Sequence, residues 1–366
     1  MFTRRILLGL AVLGLVACKS SPAPDGAAKP ANSASAAPKP EDSISLNGAG
    51  ATFPYPLYSK WIAEYNKQNP TIKINYQSIG SGGGIRQITA GTVDFGATDA
   101  PMSDDETKQA PSKLFHIPAT IGAVVLVYNL PDVSGTLNIT PDVLSQIYLG
   151  KIKKWNDPKL KADNKDLKLP ATDISVVYRT DGSGTTAIFT GYLAKVSSEW
   201  KDSVGAGKSV KWPAGLGAKG NEGVTGQVKT TPGAIGYVER AYASQNKLPM
   251  AALKNLAGKF VSPTIEAMSA AAEGVEMPDE LFVSISNAAG EKAYPITGYS
   301  YLLVYENAKD NVKGEALAKF VWWGTHDGQK FANDLDYAPL PAAVVTRVEA
   351  RLKELRSGDK KLLSGA

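Results

Sequence analysis

Cysteine is almost absent from this chain: among 366 residues, Cys18 is the only one. That excludes an internal disulfide and a cysteine-based metal cluster. Histidine is nearly as scarce, with only His116 and His326, and neither stands in an HExxH pattern. No metal and no cofactor are expected. A strong charge excess is missing too, since 40 basic residues face 35 acidic ones. Loss of an N-terminal segment containing Arg4 and Arg5 would lower that excess from five to three. This is too mild for a nucleic-acid footprint, and no basic stripe with interleaved aromatics occurs. The six tryptophans are scattered, and Trp322-Trp323 read as core and rim. The apolar stretch from Ile6 to Val16 is too short for a convincing membrane span. What remains is an ordinary globular composition, long enough for two domains.

The first eighteen residues, MFTRRILLGLAVLGLVAC, have a basic start, an apolar stretch and small residues near the end, the pattern of an export signal. Leu15-Val16-Ala17-Cys18 resembles a bacterial lipobox, which implies lipidation of Cys18 and a membrane anchor; the alternative is an ordinary secretory signal. Sec export is the default, with Thr3-Arg4-Arg5 a weak hint of a twin-arginine signal. Lys19 is not the aspartate that commonly retains such lipoproteins at the inner membrane. Residues 19–42 hold no bulky apolar side chain and are expected to be a disordered tether. As a flexible chain their 24 residues would reach roughly 27 Å.

From Ser43 onward short apolar runs alternate with amphipathic ones. Ile44–Leu46, Ile72–Tyr76, Val93–Ala97, Val124–Tyr128, Ile174–Tyr178 and Ala234–Val238 read as strands. Segments 56–66, 141–149 and 185–196 read as helices with one apolar face. The last seventy residues read as mostly helical, over 314–324, 328–334 and 341–357, with Pro341 in the first turn of the last. Strand–helix alternation predicts an α/β fold with parallel strands.

Three stretches share one plan of strand, glycine-bearing turn, hydroxyl and helix start. They are GAGATFPYPLYSKW (48–61), SIGSGGGIRQITAG (78–91) and YRTDGSGTTAIF (178–189). In the second Ser81 is placed to cap a helix, and in the third Ser183 is. The first turn of a helix leaves backbone N–H groups without intrahelical partners, and the helix dipole adds partial positive charge there. A small anion satisfies both. Glycine lets the main chain approach closely, hydroxyls add rotatable donors, and Arg179 adds a full charge with a fork of N–H groups. A capping hydroxyl alone is commonplace. Three together, at the C-terminal ends of strands where α/β proteins tend to hold ligands, point to an oxyanion.

Longer motifs carry a resemblance. Gly48-Ala-Gly-Ala-Thr-Phe-Pro, Ile79-Gly-Ser, Val93-Asp-Phe-Gly-Ala-Thr-Asp-Ala-Pro, Ile147-Tyr-Leu-Gly-Lys-Ile-Lys-Lys-Trp, Arg179-Thr-Asp-Gly-Ser-Gly-Thr, Lys211-Trp-Pro, Pro232-Gly-Ala-Ile-Gly-Tyr-Val-Glu and Asn333-Asp-Leu-Asp-Tyr resemble the substrate-binding protein of the bacterial phosphate ABC transporter. The likeness runs from about Ser45 to Val345. It implies a two-lobed periplasmic-binding-protein fold (type II) with two hinge crossovers and the ligand in the inter-lobe cleft. Lobe one would comprise 43–120 plus 295–366, and lobe two 121–294. It further implies phosphate contacts from Thr52, Phe53, Ser81, Asp99, Arg179, Ser183, Gly184 and Thr185, with Asp99 accepting a hydrogen bond from the ligand. Asp181 would orient Arg179, or touch the ligand itself. Gly82 departs from the pattern, standing where a serine is familiar, yet could offer its N–H. The implied partners are inorganic phosphate, membrane permease subunits and a cytoplasmic ATPase, and the implied location is outside the cytoplasm. The rival readings are an enzyme and a receptor for another oxyanion. The G-x-S-x-G elbow is absent because position 181 is Asp, so no catalysis is expected. Asp99 disfavours sulfate; arsenate stays open.

Overall fold

A computed structural model describes residues 43–363. The expected export signal 1–18, the lipidation expected at Cys18 and the expected tether 19–42 lie outside the described residues.

One eight-stranded sheet organises the chain. Its strands are β1 (Ile44–Gly50), β2 (Ile72–Ser78), β3 (Phe95–Thr98), β4 (Leu114–Tyr128), β5 (Ser175–Arg179), β6 (Leu216–Ala218), β7 (Ala234–Glu239) and β8 (Thr297–Tyr305), in the order β2-β1-β3-β8-β4-β7-β5-β6. The pairs β1–β2, β1–β3, β5–β7 and β5–β6 are parallel, as strand–helix alternation predicts. The middle of the sheet departs from that expectation. There β8 runs antiparallel to both β3 and β4, and β4 antiparallel to β7.

The departure makes the two-lobed architecture. β4 is fifteen residues long and almost wholly buried. Leu114–Ala123 pair with β8, whereas Val124–Tyr128 pair with β7. One strand thus serves the first lobe and then the second. Pro118 cannot donate to a ladder, and the β4–β8 register shifts beside it, between Ser300 and Tyr301. Such an irregularity bends and twists the strand pair.

Helices follow the parallel strands and begin at their C-terminal ends. They include α1 (Tyr55–Gln68) after β1, α2 (Ser81–Thr89) after β2, α3 (Asp104–Lys108) after β3, α4 (Gly184–Val196) after β5 and α5 (Gly220–Thr230) after β6. The α1 face of Leu57, Tyr58, Trp61 and Tyr65 is buried as its spacing requires. Trp61 also donates to the Gly328 carbonyl at 2.8 Å. Among the described residues no helix is long and apolar enough to cross a membrane.

The C-terminal expectations need correction. Residues 328–334 form two short 3-10 segments, Asp327–Phe331 and Asn333–Leu335, rather than an α-helix. The last helix, α6 (Ala342–Leu352), has Pro341 as its cap and stops five residues short of the expected end. Leu352 and Leu355 continue a helical spacing, but Gly358 turns the chain at φ 59° and Arg356–Ser357 pairs with Lys360–Lys361 as a hairpin. Strand β8 was not foreseen at all.

Candidate functional site

Loops at the ends of β1, β2, β3, β5 and β6 meet between the lobes, and their side chains are buried there. Thr52, Phe53, Ser81, Asp99, Arg179, Ser183 and Thr185 all lie at or below 4% exposure. The contacts that join them cross the cleft. Gly184 N donates to Ser81 Oγ at 3.0 Å, and Gly82 N donates to the Gly182 carbonyl at 2.8 Å. Glycine is required at this seam: a Cβ on Gly184 would stand 2.6 Å from both Asp99 Cβ and Ser81 Oγ. The Gly82 N–H, offered by the sequence as a ligand donor, is therefore already engaged by the opposite lobe.

Two helix starts behave differently. Ser183 is the cap of α4, its Oγ accepting from Thr186 N at 3.0 Å, as its sequence position suggests. Ser81 does not cap α2; Gly80 holds that place with φ 88°, and Ser81 is the first helical residue. Its Oγ instead accepts from Gly184 N and from Asp99 N at 3.2 Å, so it ties three loops together.

Arg179 ends β5 with its guanidinium gripped by Asp181. Nε donates to Oδ1 at 2.8 Å and Nη2 to Oδ2 at 2.5 Å, a bidentate pair. Gly220 N, at the start of α5, also donates to Asp181 Oδ1 at 3.1 Å. Burial pulls the Asp181 carboxyl upward, but the hydrogen bonds and charge of Arg179, with the Gly220 amide, outweigh it and leave it below the ordinary range. Nη1 of Arg179 points to Thr185 Oγ1 at 3.4 Å. The Asp181 carboxylate thus balances the Arg179 charge, and the uncharged donors around the pair are amides and hydroxyls.

Asp99, just past β3, is a buried carboxyl with no ion-pair partner among the described residues. Ser300 donates to its Oδ1 at 2.8 Å, and Ser81 Oγ lies 3.5 Å from Oδ2. Burial pushes the carboxyl up to about 7, against the lowering effects of the Ser300 hydrogen bond, the Arg179 charge and Ser81.

Other functional neighbours come from the far sequence. Tyr242 donates to the Thr52 carbonyl at 2.5 Å and Tyr337 to the Phe53 carbonyl at 2.6 Å. A trans peptide points its C=O and N–H in opposite directions, so Tyr242 also sets the direction of the Phe53 N–H. Tyr237 accepts from Arg179 N at 3.1 Å and shares a 2.7 Å hydrogen bond with Thr186. Asn221, in the first turn of α5, bridges Thr52 and Thr185. The reading of the sequence missed Asn221, Ser300 and the three tyrosines. Leu216-Gly-Ala-Lys-Gly-Asn221 is a fourth strand–glycine–helix junction, and that pattern was the available signal. Among the described residues no group of three or more histidine, cysteine or acidic side chains could hold a metal ion.

Comparison with known proteins shows the family. A model of the PBP superfamily domain matches residues 31–327. The phosphate-binding protein PstS of Xylella fastidiosa is 49% identical over 311 residues, 84% of this chain and 85% of that protein. That of Pasteurella multocida is 47% identical over 322 residues, 87% of this chain and 93% of that protein. In solved structures, the phosphate binding protein from Stenotrophomonas maltophilia shares the fold with a TM-score of 0.66 at 18% identity, over 84% of this chain and 94% of that one. The chain belongs to the PBP superfamily and, within it, to the family of the phosphate-binding proteins called PstS.

Proposed function

We propose that this chain binds inorganic phosphate between its lobes, outside the cytoplasm, and hands it to an ABC permease driven by a cytoplasmic ATPase. The observation that carries the reading is Asp99: a buried carboxylate, an acceptor only, set among donors from both lobes. Phosphate near neutral pH still has an O–H to give it; sulfate has none. The relatives that share the family are named for phosphate binding, which supports the same ligand here. Thr52, Phe53, Ser81, Asp99, Arg179, Ser183, Gly184 and Thr185 are the proposed contacts, with Asp181 holding Arg179. The lobes are proposed as 43–120 with 295–366, and 121–294. We read the site as non-catalytic, because Ser183 Oγ serves as a helix cap and His116 Nε2 accepts from Met102 N. Cys18 is proposed as the lipid anchor, with 19–42 as tether.

Calorimetric titration of the purified protein with phosphate, arsenate and sulfate tests the ligand. Phosphate is expected to bind and sulfate to fail; equal binding of both would overturn the reading. Fractionation of Cys18→Ala tests the anchor, since a variant still held on membranes without detergent would exclude it.

A further inference from the structure

Asn221 is fully buried in the first turn of α5, and every polar atom of its side chain is engaged. Its Oδ1 accepts from Glu239 N at 2.9 Å, which fixes the other end of the amide as the donor. Nδ2 donates to Thr52 Oγ1 at 2.7 Å and to Thr185 Oγ1 at 3.2 Å. The backbone N–H of Asn221 adds a second donation to Thr52 Oγ1, at 3.2 Å.

The consequence lies in what the threonines have left. A hydroxyl has one proton and two lone pairs. Thr52 Oγ1 accepts twice from Asn221, so only its proton is free. Thr185 Oγ1 accepts from Asn221 and, at 3.4 Å, from Arg179 Nη1, so the same holds for it. Neither hydroxyl has a lone pair to spare for a ligand O–H.

We propose that Asn221 is a positioning residue for anion capture: it fills the acceptor capacity of Thr52 and, together with Arg179 Nη1, that of Thr185, makes both hydroxyls obligate donors toward the cleft, and so leaves Asp99 as the acceptor for the ligand's proton. Thr52 follows β1 in one lobe and Thr185 opens α4 in the other. The orientation of both protons by one amide is therefore complete only when the lobes are together. This rests on the oxyanion site described above, and it adds the rule by which hydroxyls that could give or take a proton are restricted to giving.

The test is a mutant cycle read by calorimetry with phosphate. Four proteins are compared: the parent, Asn221→Leu, Thr52→Val with Thr185→Val, and the triple variant. Leucine keeps the side-chain volume and removes the donor. In the parent background it is expected to weaken phosphate binding by at least about tenfold, or about 1.4 kcal/mol. In the valine background, where no hydroxyls remain to orient, the same change is expected to cost less than about threefold, the non-additivity that marks residues acting through one another. An equal cost in both backgrounds overturns the proposal, because a purely structural asparagine would be missed alike in each. Should Asn221→Leu fail to show a cooperative melt, Asn221→Ala carries the same cycle with the same criteria. The parent titration separates this proposal from the ligand reading. A parent that takes arsenate or sulfate in preference overturns the phosphate reading, and the cycle is then read with that anion. A parent that binds none of the three overturns both.

Discussion

At the scale of single residues, Asp99 is asked to stay buried beside a site for anions. The ordinary aspartate value is near 4, while burial pushes Asp99 up to about 7 in the folded protein. Between those limits the folded protein holds a proton that the unfolded chain has released. Linkage then fixes the sign: Asp99's contribution to stability is greatest below about pH 4 and declines as pH rises toward 7. His116 acts in the opposite sense, since burial first, and the Lys208 charge next, lower it to about 4, so stability falls as pH drops from 6.5. Comparing the parent with Asp99→Asn cancels His116. The ligand-free melting temperature of the parent, relative to the variant, should fall between pH 5 and pH 8; a constant difference would mean that Asp99 is ionised throughout. The same variant tests selectivity. An amide donates to a sulfate oxygen where the carboxylate repels it, so Asp99→Asn should narrow the phosphate-over-sulfate preference by at least about tenfold, about 1.4 kcal/mol. Titration of both anions at fixed ionic strength and at pH 8, where the Asp99 carboxyl is ionised, decides this. Arg179 and the hydroxyls were legible because each sits in a short local pattern, whereas Asp99 entered through the resemblance that the Val93 motif helps to carry. Asn221 and Ser300 were not legible, because their meaning arises from hydrogen bonds to residues 169 and 201 positions away.

At the scale of elements, helix starts converge on the candidate site and glycines let them pack closely. The sequence showed where the helices begin but not how they face one another. Ser81 looked like a cap and proved to be a tie to Gly184 N and Asp99 N. The long strand β4 was foreseen only from Val124 to Tyr128; its first half carries His116, Pro118 and Thr120 among its apolar residues. These residues are tolerated by tertiary contacts: His116 Nε2 accepts from Met102 N, and Thr120 Oγ1 donates to the Ala338 carbonyl. The glycine seam gives a sharp expectation. Alanine at 184 should favour α4 by helix propensity, by up to about 1 kcal/mol in a helix interior and less at its first turn. In the closed form its Cβ would stand 2.6 Å from Ser81 Oγ and 2.7 Å from Asp99 N, distances that force the lobes apart. Gly184→Ala should therefore melt within a few degrees of the parent without ligand, yet lose at least about a hundredfold in phosphate affinity, close to 2.7 kcal/mol. Affinity near that of the parent would show that the seam is loose enough to admit a side chain.

At the scale of the whole molecule, the lobes are joined by continuous strands and fastened at their rims. β4 is the shared strand, pairing with β8 and then with β7, and the register shift beside Pro118 is where the β4–β8 pair twists. Across the mouth, Lys208 reaches from the second lobe to the first. Its Nζ donates to the Pro101 carbonyl at 3.1 Å and to Glu106 Oε2 at 2.7 Å, while its own carbonyl accepts from Ser183 N at 2.8 Å. The same residue thus touches both the opposite rim and the cap of α4. Both charged groups are partly exposed, at 17% and 27%, so the pair adds on the order of 1 kcal/mol or less. A contact made only on closure should act on escape rather than entry, because entry occurs while the lobes are apart. Lys208→Met keeps much of the apolar stem and removes the charge. It should raise the phosphate dissociation rate by roughly two- to fivefold, consistent with a contribution of that size, and leave the association rate nearly unchanged. Stopped-flow displacement against a phosphate scavenger measures the first, and X-ray scattering supplies the frame for it: phosphate should shrink the radius of gyration of parent and variant alike, as expected of hinge closure around a ligand. Scattering curves that do not respond to phosphate would remove the hinge. A slowed association with unchanged dissociation would place Lys208 on the approach path, where it would steer the anion instead of holding the closed form.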